Sequence, residues 1–212
     1  MQDIPFYETE YGTAGLVLNQ VRCTGSAFIH ILQIQQTQRL LMECIGFCRA
    51  VGAERIYACG TEELRKYPHY TDVLKMCCPL DALDDTAACL FPVTEETVEH
   101  WRQIYNERMS GVDNAAILSE YAARKLVKDG GAYFVHNEDH LLGIGVAFGE
   151  DIQAVVSVKP GQGRQVLLAL CHALTGPMVN VEVASTNNRA VRLYEAMGFT
   201  KTGVVRSWYQ VV

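Results

Sequence analysis

The stretch Val179–Phe199, VNVEVASTNNRAVRLYEAMGF, constrains the fold more tightly than any other part of the chain. Val179, Val181 and Val183 alternate with polar positions, as in a strand with one buried face. Ser185-Thr186-Asn187-Asn188 is a polar turn. Ala190, Leu193, Tyr194 and Met197 then recur at helical spacing, and Gly198 supplies the stop. A strand running straight into a short amphipathic helix predicts an α/β arrangement, with the helix folded back on a sheet.

The elements before it extend the pattern. Pro92 to Met109 is expected to be helical, with Thr94 as N-cap and Glu96 and Glu99 in the first turns. Ile117 to Asp129 is a second helix, stopped by Gly130-Gly131. Ala132 to His136 and Leu141 to Phe148 read as a hairpin across Asn137-Glu138-Asp139, and Ile152 to Val158 as the next strand. Lys159-Pro160-Gly161-Gln162-Gly163 breaks that strand. Arg164 to Leu174 is a helix apolar on more than one face, so it should be buried. Two closing strands are expected at Lys201 to Val205 and Ser207 to Val211.

The first 85 or so residues carry a degenerate echo of this order. Ala27 to Ile34 parallels the strand from Ile152, Thr37 to Ala53 the helix from Arg164, Glu54 to Gly60 the strand from Val179, and Thr61 to Cys77 the last helix. Gln38 to Thr61 and Gly163 to Thr186 are both separated by 23 positions. The N-terminal copy has Gln35-Gln36-Thr37-Gln38 where the other has its Gly-x-Gly turn. The expected division is residues 1–87, a partial repeat without that turn, and 88–212, a complete α/β domain; an unrelated α/β cap is the other reading of 1–87.

Three places carry candidate chemistry. The turn from Val158 to Arg164 ends a strand, contains two glycines and opens a helix whose free N–H groups form an anion site. Tyr194 is either a packing residue or a phenol that, protonated at neutral pH, can donate a proton. Glu182 is the only acid in VNVEV. A buried unpaired carboxylate is costly, so Glu182 should face a cleft or a partner; Glu150 and Asp151 are rival bases on the preceding strand.

The order Asn187-x-x-Ala190-x-x-Leu193-Tyr194-Glu195-x-x-Gly198-Phe199 resembles the C-terminal signature of the GCN5-related N-acetyltransferases, the GNAT family. The resemblance covers about the last 125 residues. It implies a mixed, mostly antiparallel twisted sheet flanked by helices. It also implies an N-acyltransferase that moves acetyl from acetyl-CoA to a primary amine by direct attack. The turn Gly161-Gln162-Gly163-Arg164-Gln165 would then take the pyrophosphate, and the backbone around Val156 and Val158 the thioester arm. Asn187 would contact the pantetheine as well as cap its helix. Tyr194 would protonate the departing thiolate, and Glu182, twelve residues earlier, would receive the ammonium proton. The family's Arg/Gln-x-x-Gly-x-Gly/Ala turn has Pro160 here in place of Arg or Gln and Gln165 in place of the last small residue. These departures, with the degenerate first half, keep open a non-catalytic CoA-binding or protein-interaction module. The resemblance locates the amine-acceptor pocket around Trp101 to Asp113.

Composition excludes several other classes. A net charge of −6 argues against phosphate-backbone binding, so no nucleic-acid partner is expected. No apolar run reaches membrane-spanning length, and MQDIPFYETE is unlike a secretory leader, so no membrane partner and a cytoplasmic location are expected. The 8 cysteines lack paired C-x-x-C spacing and sit among apolar neighbours. They read as reduced core residues, with no metal expected. Gly143 to Gly149 lies in a strand and His136/His140 in a hairpin, so neither matches a dinucleotide or helical zinc motif. A homodimer is left open.

Overall fold

The computed structural model describes residues 5–112, 115 and 117–212. The chain divides into two compact units: one up to Val73 together with Val204–Val212, the other Leu74–Gly203. Residues 74–87 therefore belong to the second unit.

The first unit contains strands β1 (Phe6–Thr9), β2 (Gly12–Val17) and β3 (Ser26–Ile34), with the four-residue helix α1 (Val21–Thr24) before β3. Helix α2 (Thr37–Ala50) and strand β4 (Arg55–Cys59) follow. β1, β2 and β3 are antiparallel, whereas β3 and β4 are parallel. Leu40, Leu41, Cys44 and Cys48 of α2 pack on Ala14, Leu16, Ile29, Ile31 and Ile56 of the sheet. Burial pushes the Cys44 thiol up to about 12 and Cys48 to about 11, so both are held as neutral hydrophobes.

The segment Thr61 to Cys77, expected as a helix, is a single 3-10 turn (Glu62–Lys66) followed by strand β5 (His69–Pro79). Pro68 offers no N–H to continue a helix. Beyond it burial alternates, first at Thr71 and Val73 and then at Leu74, Met76 and Cys78, which is strand periodicity with one change of phase.

In the second unit, a 3-10 turn (Leu80–Ala82) leads to the short strand β6 (Cys89–Pro92). Helices α3 (Val98–Met109) and α4 (Glu120–Lys128) follow, then strands β7 (Ala132–Asn137), β8 (His140–Phe148) and β9 (Asp151–Ser157). Next come α5 (Gly163–Cys171), β10 (Met178–Ala184) and α6 (Asn188–Ala196), and the chain ends in β11 (Thr200–Gln210), whose residues from Val204 onward belong to the first unit. The strand order β10-β9-β8-β7-β6 is antiparallel except for the parallel pair β10/β9.

α3 starts later than expected because Thr94 is held in a turn: Thr97 Oγ1 accepts from the Thr94 N–H at 3.0 Å. The two expected closing strands are one continuous β11, since nothing between Val205 and Ser207 turns the chain.

Two cores sandwich this sheet. On one face Val166 to Cys171 of α5 are all buried, against Val179, Val181 and Val183 of β10 and Tyr194, Met197 and Phe199. α5 approaches closely because β8 carries glycines: a Cβ on Gly145 would lie 2.3 Å from Leu170 Cδ1. On the other face Trp101 and Tyr105 of α3 and Ala123 of α4 cover Ile144, Val146, Ala154 and Val156.

Candidate active site

The site begins with a defect in the sheet. β9 and β10 run parallel but pair only at Asp151↔Asn180 and Ile152↔Val181. A backbone bond from the Asn180 N–H to Glu150 O, 2.8 Å, secures the same end. Beyond it, the ladder does not continue from Gln153–Ser157 to Val183 and Ala184. The cause is local. β9 pairs with β8 as Val146↔Ala154 and then Ala147↔Ile152, so Gln153 is an extra residue, a β-bulge. A bulge bends its strand and ends pairing. It stands one residue past the last β9/β10 pair, so the strands part there as a fork. Backbone N–H and C=O groups on the facing edges are left for something other than the sheet.

The bulge also sorts side chains. Ile152 packs into the α5 core, whereas Ala154 and Val156 turn to the α3 core. On β10, Val181 and Val183 face the α5 core, so Glu182 points to the opposite face, where it is exposed. Glu182 immediately follows the last paired residue and so stands at the base of the fork. Glu150 and Asp151 occupy the closed end of the pair, and the Glu150 side chain lies over Gly176, within 2.1 Å of where a Cβ there would be.

Tyr194 lies on the α5 face. It is 7% exposed, with its ring centroid 5.5 Å from that of Phe199. Burial pushes its hydroxyl up to about 12, so it holds its proton throughout the physiological range. Among the described residues no hydrogen bond ends on that hydroxyl, and it is not one of the sealed, unpartnered polar atoms. The sheet thus separates a carboxylate on one face from a phenol on the other, with the fork between them.

The turn leading from β9 into α5 is a second feature. The Val158 N–H donates to Leu142 O at 2.9 Å, and the Gln162 N–H to Lys159 O at 3.4 Å. Gly161 has φ +87°, a left-handed conformation that favours glycine, and nothing lies within 4 Å of where its Cβ would be. Gly163 is different: it is the first residue of α5, and a Cβ there would meet Leu193 Cδ2 of α6 at 3.1 Å. The backbone constraint therefore lies at Gly161, while Gly163 permits α5 and α6 to approach. Gln162 precedes α5 without a side-chain cap, and no acid stands in the first turn. The helix's free N–H groups remain open to an anion. Gln165 is exposed, Val156 is buried and Val158 is partly buried. Arg164 is not free, for its guanidinium is ion-paired with Asp84. Asn187 caps α6, its Oδ1 accepting from the Ala190 N–H at 3.2 Å.

Of the residues expected to meet an acceptor, Trp101 and Tyr105 are core residues of α3, and Trp101 Nε1 donates to Tyr133 O at 3.1 Å. Asp113 lies outside the described residues. Among the described residues no group of three or more His, Cys, Asp or Glu could hold a metal ion, and no helix is long and apolar enough to cross a membrane.

No protein-family model and no curated protein matches the sequence. Solved structures do. A GCN5-related N-acetyltransferase from Anabaena variabilis is similar with a TM-score of 0.61 and 12% identity, over 93% of this chain and 59% of that one. A GCN5-related N-acetyltransferase from Kribbella flavida is similar with a TM-score of 0.60 and 11% identity, over 96% and 58%. This chain spans under two thirds of either protein. A functionally unknown conserved protein from Staphylococcus epidermidis gives a TM-score of 0.56 at 10% identity, over 99% and 94%. At these identities the likeness is one of fold, and the fold is that of the GNAT acetyltransferases.

Proposed function

We propose that this chain, which has the GNAT fold, is an acyl-CoA-dependent N-acyltransferase that carries acetyl from acetyl-CoA to a primary amine. The observation that carries the reading is the fork between β9 and β10, opened by the bulge at Gln153 beyond the Ile152↔Val181 pair. Acetyl-CoA would supply the activated acyl group. The turn at Gly161-Gln162-Gly163 and the uncapped start of α5 would hold its diphosphate. Edge N–H groups of β9 near Val156 and Val158 would orient the thioester carbonyl. Glu182, on the exposed face, would take the proton from the incoming ammonium. Tyr194, on the other face, would donate one to the departing sulfur. The amine would add to the thioester carbonyl, and a base and an acid at separate positions let one group take the ammonium proton and the other protonate the thiolate as the tetrahedral intermediate collapses. Holding amine and thioester together would supply much of the acceleration.

The first unit is best read as a degenerate partial repeat. β1-β2-β3-α2-β4 has the same order and strand senses as β7-β8-β9-α5-β10. Its parallel pair, however, is zipped through five positions, from Ser26↔Arg55 to His30↔Cys59. A carboxylate is held beside the first residue of its helix, with Thr37 Oγ1 donating to Glu63 Oε1 at 2.9 Å. One CoA per chain is therefore expected.

The test is thiol release from acetyl-CoA with a panel of primary amines. Amine-dependent release supports the transferase. Thermal stabilisation by CoA with no release under any amine would favour a CoA-binding module.

A further inference from the structure

We propose that Asp84 is a positioning residue that draws Arg164 away from the anion site at the start of α5 and so sets the affinity for acetyl-CoA. The inference rests on the acetyl-CoA reading above. Arg164 is the second residue of α5. Its Nη2 donates to Asp84 Oδ2, and among the described residues this is its hydrogen-bonding partner. Asp84 is 80 residues away in sequence, so the pair is a product of folding rather than of helix spacing.

Asp84 is held in place. The Leu80 N–H donates to Pro177 O at 2.8 Å, Leu80 and Leu83 pack on the α5 core, and Ala88 is buried. Asp85 reaches the far end of the same helix, 3.2 Å from His172 Nε2. The segment from Leu80 to Ala88 is thus a strap along α5, and it places a carboxylate against the guanidinium of the second residue of a helix whose start has no acid or cap of its own.

Two effects follow from that placement. The guanidinium is a fork suited to phosphate oxygens, and Asp84 occupies it. The carboxylate also repels a diphosphate arriving at the same helix end. A bound diphosphate must compete for Arg164, so loss of the Asp84 charge should tighten CoA binding. Both groups are largely exposed, with side chains 45% and 73% accessible, so the gain is modest. About three- to tenfold in Kd is expected at low ionic strength, shrinking as salt is added.

The experiment titrates CoA calorimetrically into the full chain and its Asp84→Asn, Asp84→Glu, Arg164→Gln and Asp84→Asn/Arg164→Gln variants. Asp84→Asn should tighten Kd three- to tenfold, and Asp84→Glu should return it towards the parent. In the Arg164→Gln background the gain should fall to less than half. In turnover, Asp84→Asn should lower KM for acetyl-CoA and leave kcat unchanged. If the parent binds CoA while Asp84→Asn binds it equally or more weakly, the inference is overturned. A full-sized gain without Arg164 overturns it too, because charge alone then explains the effect. Absence of CoA binding by the parent refutes the acetyl-CoA reading itself, and that arm is read before any variant is compared.

Discussion

Tyr194→Phe removes one oxygen and leaves the ring, which makes it the sharpest test of the proposed chemistry. The ring is 7% exposed and packs on Phe199 at 5.5 Å, contacts that phenylalanine retains. Among the described residues the hydroxyl has no hydrogen-bond partner to lose, so stability at neutral pH should change by less than about 1 kcal/mol. CoA affinity should be equally unaffected. The rate of the chemical step should fall on the order of 10²-fold, the usual contribution of a general acid. Single-turnover thiol release is the assay, because product release can mask the chemical step in kcat. Burial holds the hydroxyl at about 12, so the acid is loaded at every workable pH and the loss should be constant from pH 7 to 10. Alkaline unfolding provides an internal control. An unfolded tyrosine ionises near pH 10 and the folded one near 12, so the parent should lose stability as pH rises between those values. The expected loss is roughly 3 kcal/mol, and the Phe variant should escape it. Unchanged single-turnover rates would leave Tyr194 a packing residue and refute the reasoning.

Other perturbations follow from particular geometries. Gly161→Val forces a β-branched residue to φ +87° and should cost about 1–3 kcal/mol of turn stability; loss of CoA-induced thermal stabilisation in a folded variant is expected, and an unaltered shift would move the diphosphate site elsewhere. Glu182→Gln should depress the acidic limb of the kcat/KM profile while leaving KM for acetyl-CoA alone; an unchanged profile would hand the base to solvent. Burial first, and Arg206 second, lower the His30 ring to about 4, beside Cys59 Sγ at 3.4 Å and the Trp208 ring at 4.6 Å. Its folded value lies below the unfolded 6.5, so stability should decline as pH falls from 6.5 towards 4; His30→Phe should flatten that stretch of the acid denaturation curve.

The parts of the fold that are written locally are legible in the sequence. The β10–α6 segment is one, because valine alternation, an Asn cap and a glycine stop all act within a few residues. The β7/β8 hairpin is another, turning at Glu138 and Asp139. α5 is likewise buried, as its apolar faces require. What escapes is set by distant partners. β1 and β2 carry weak signals of their own: β1 is fixed by pairing with β2, and β2 by pairing with β3, which Gly12 allows by lying close to Gln33 O. The segment after Pro68 has helix-like composition until a sheet claims it. In the site, Tyr194, Asn187 and the glycine turn are visible as motifs. The bulge at Gln153 is not, for it exists only in the register of β9 against β8. The Asp84–Arg164 pair is equally hidden, since it joins residues that only the strap brings together.

The central claim is that the β9/β10 fork admits the acyl-carrying arm of CoA. A crystal structure of the chain with CoA bound tests it most directly. The diphosphate should lie on the Gly161–Arg164 turn and the pantetheine arm between β9 and β10 beyond Ile152 and Val181, its sulfur nearest Tyr194. CoA bound away from the fork, or β9 and β10 paired through Val183 with no room between them, would contradict it.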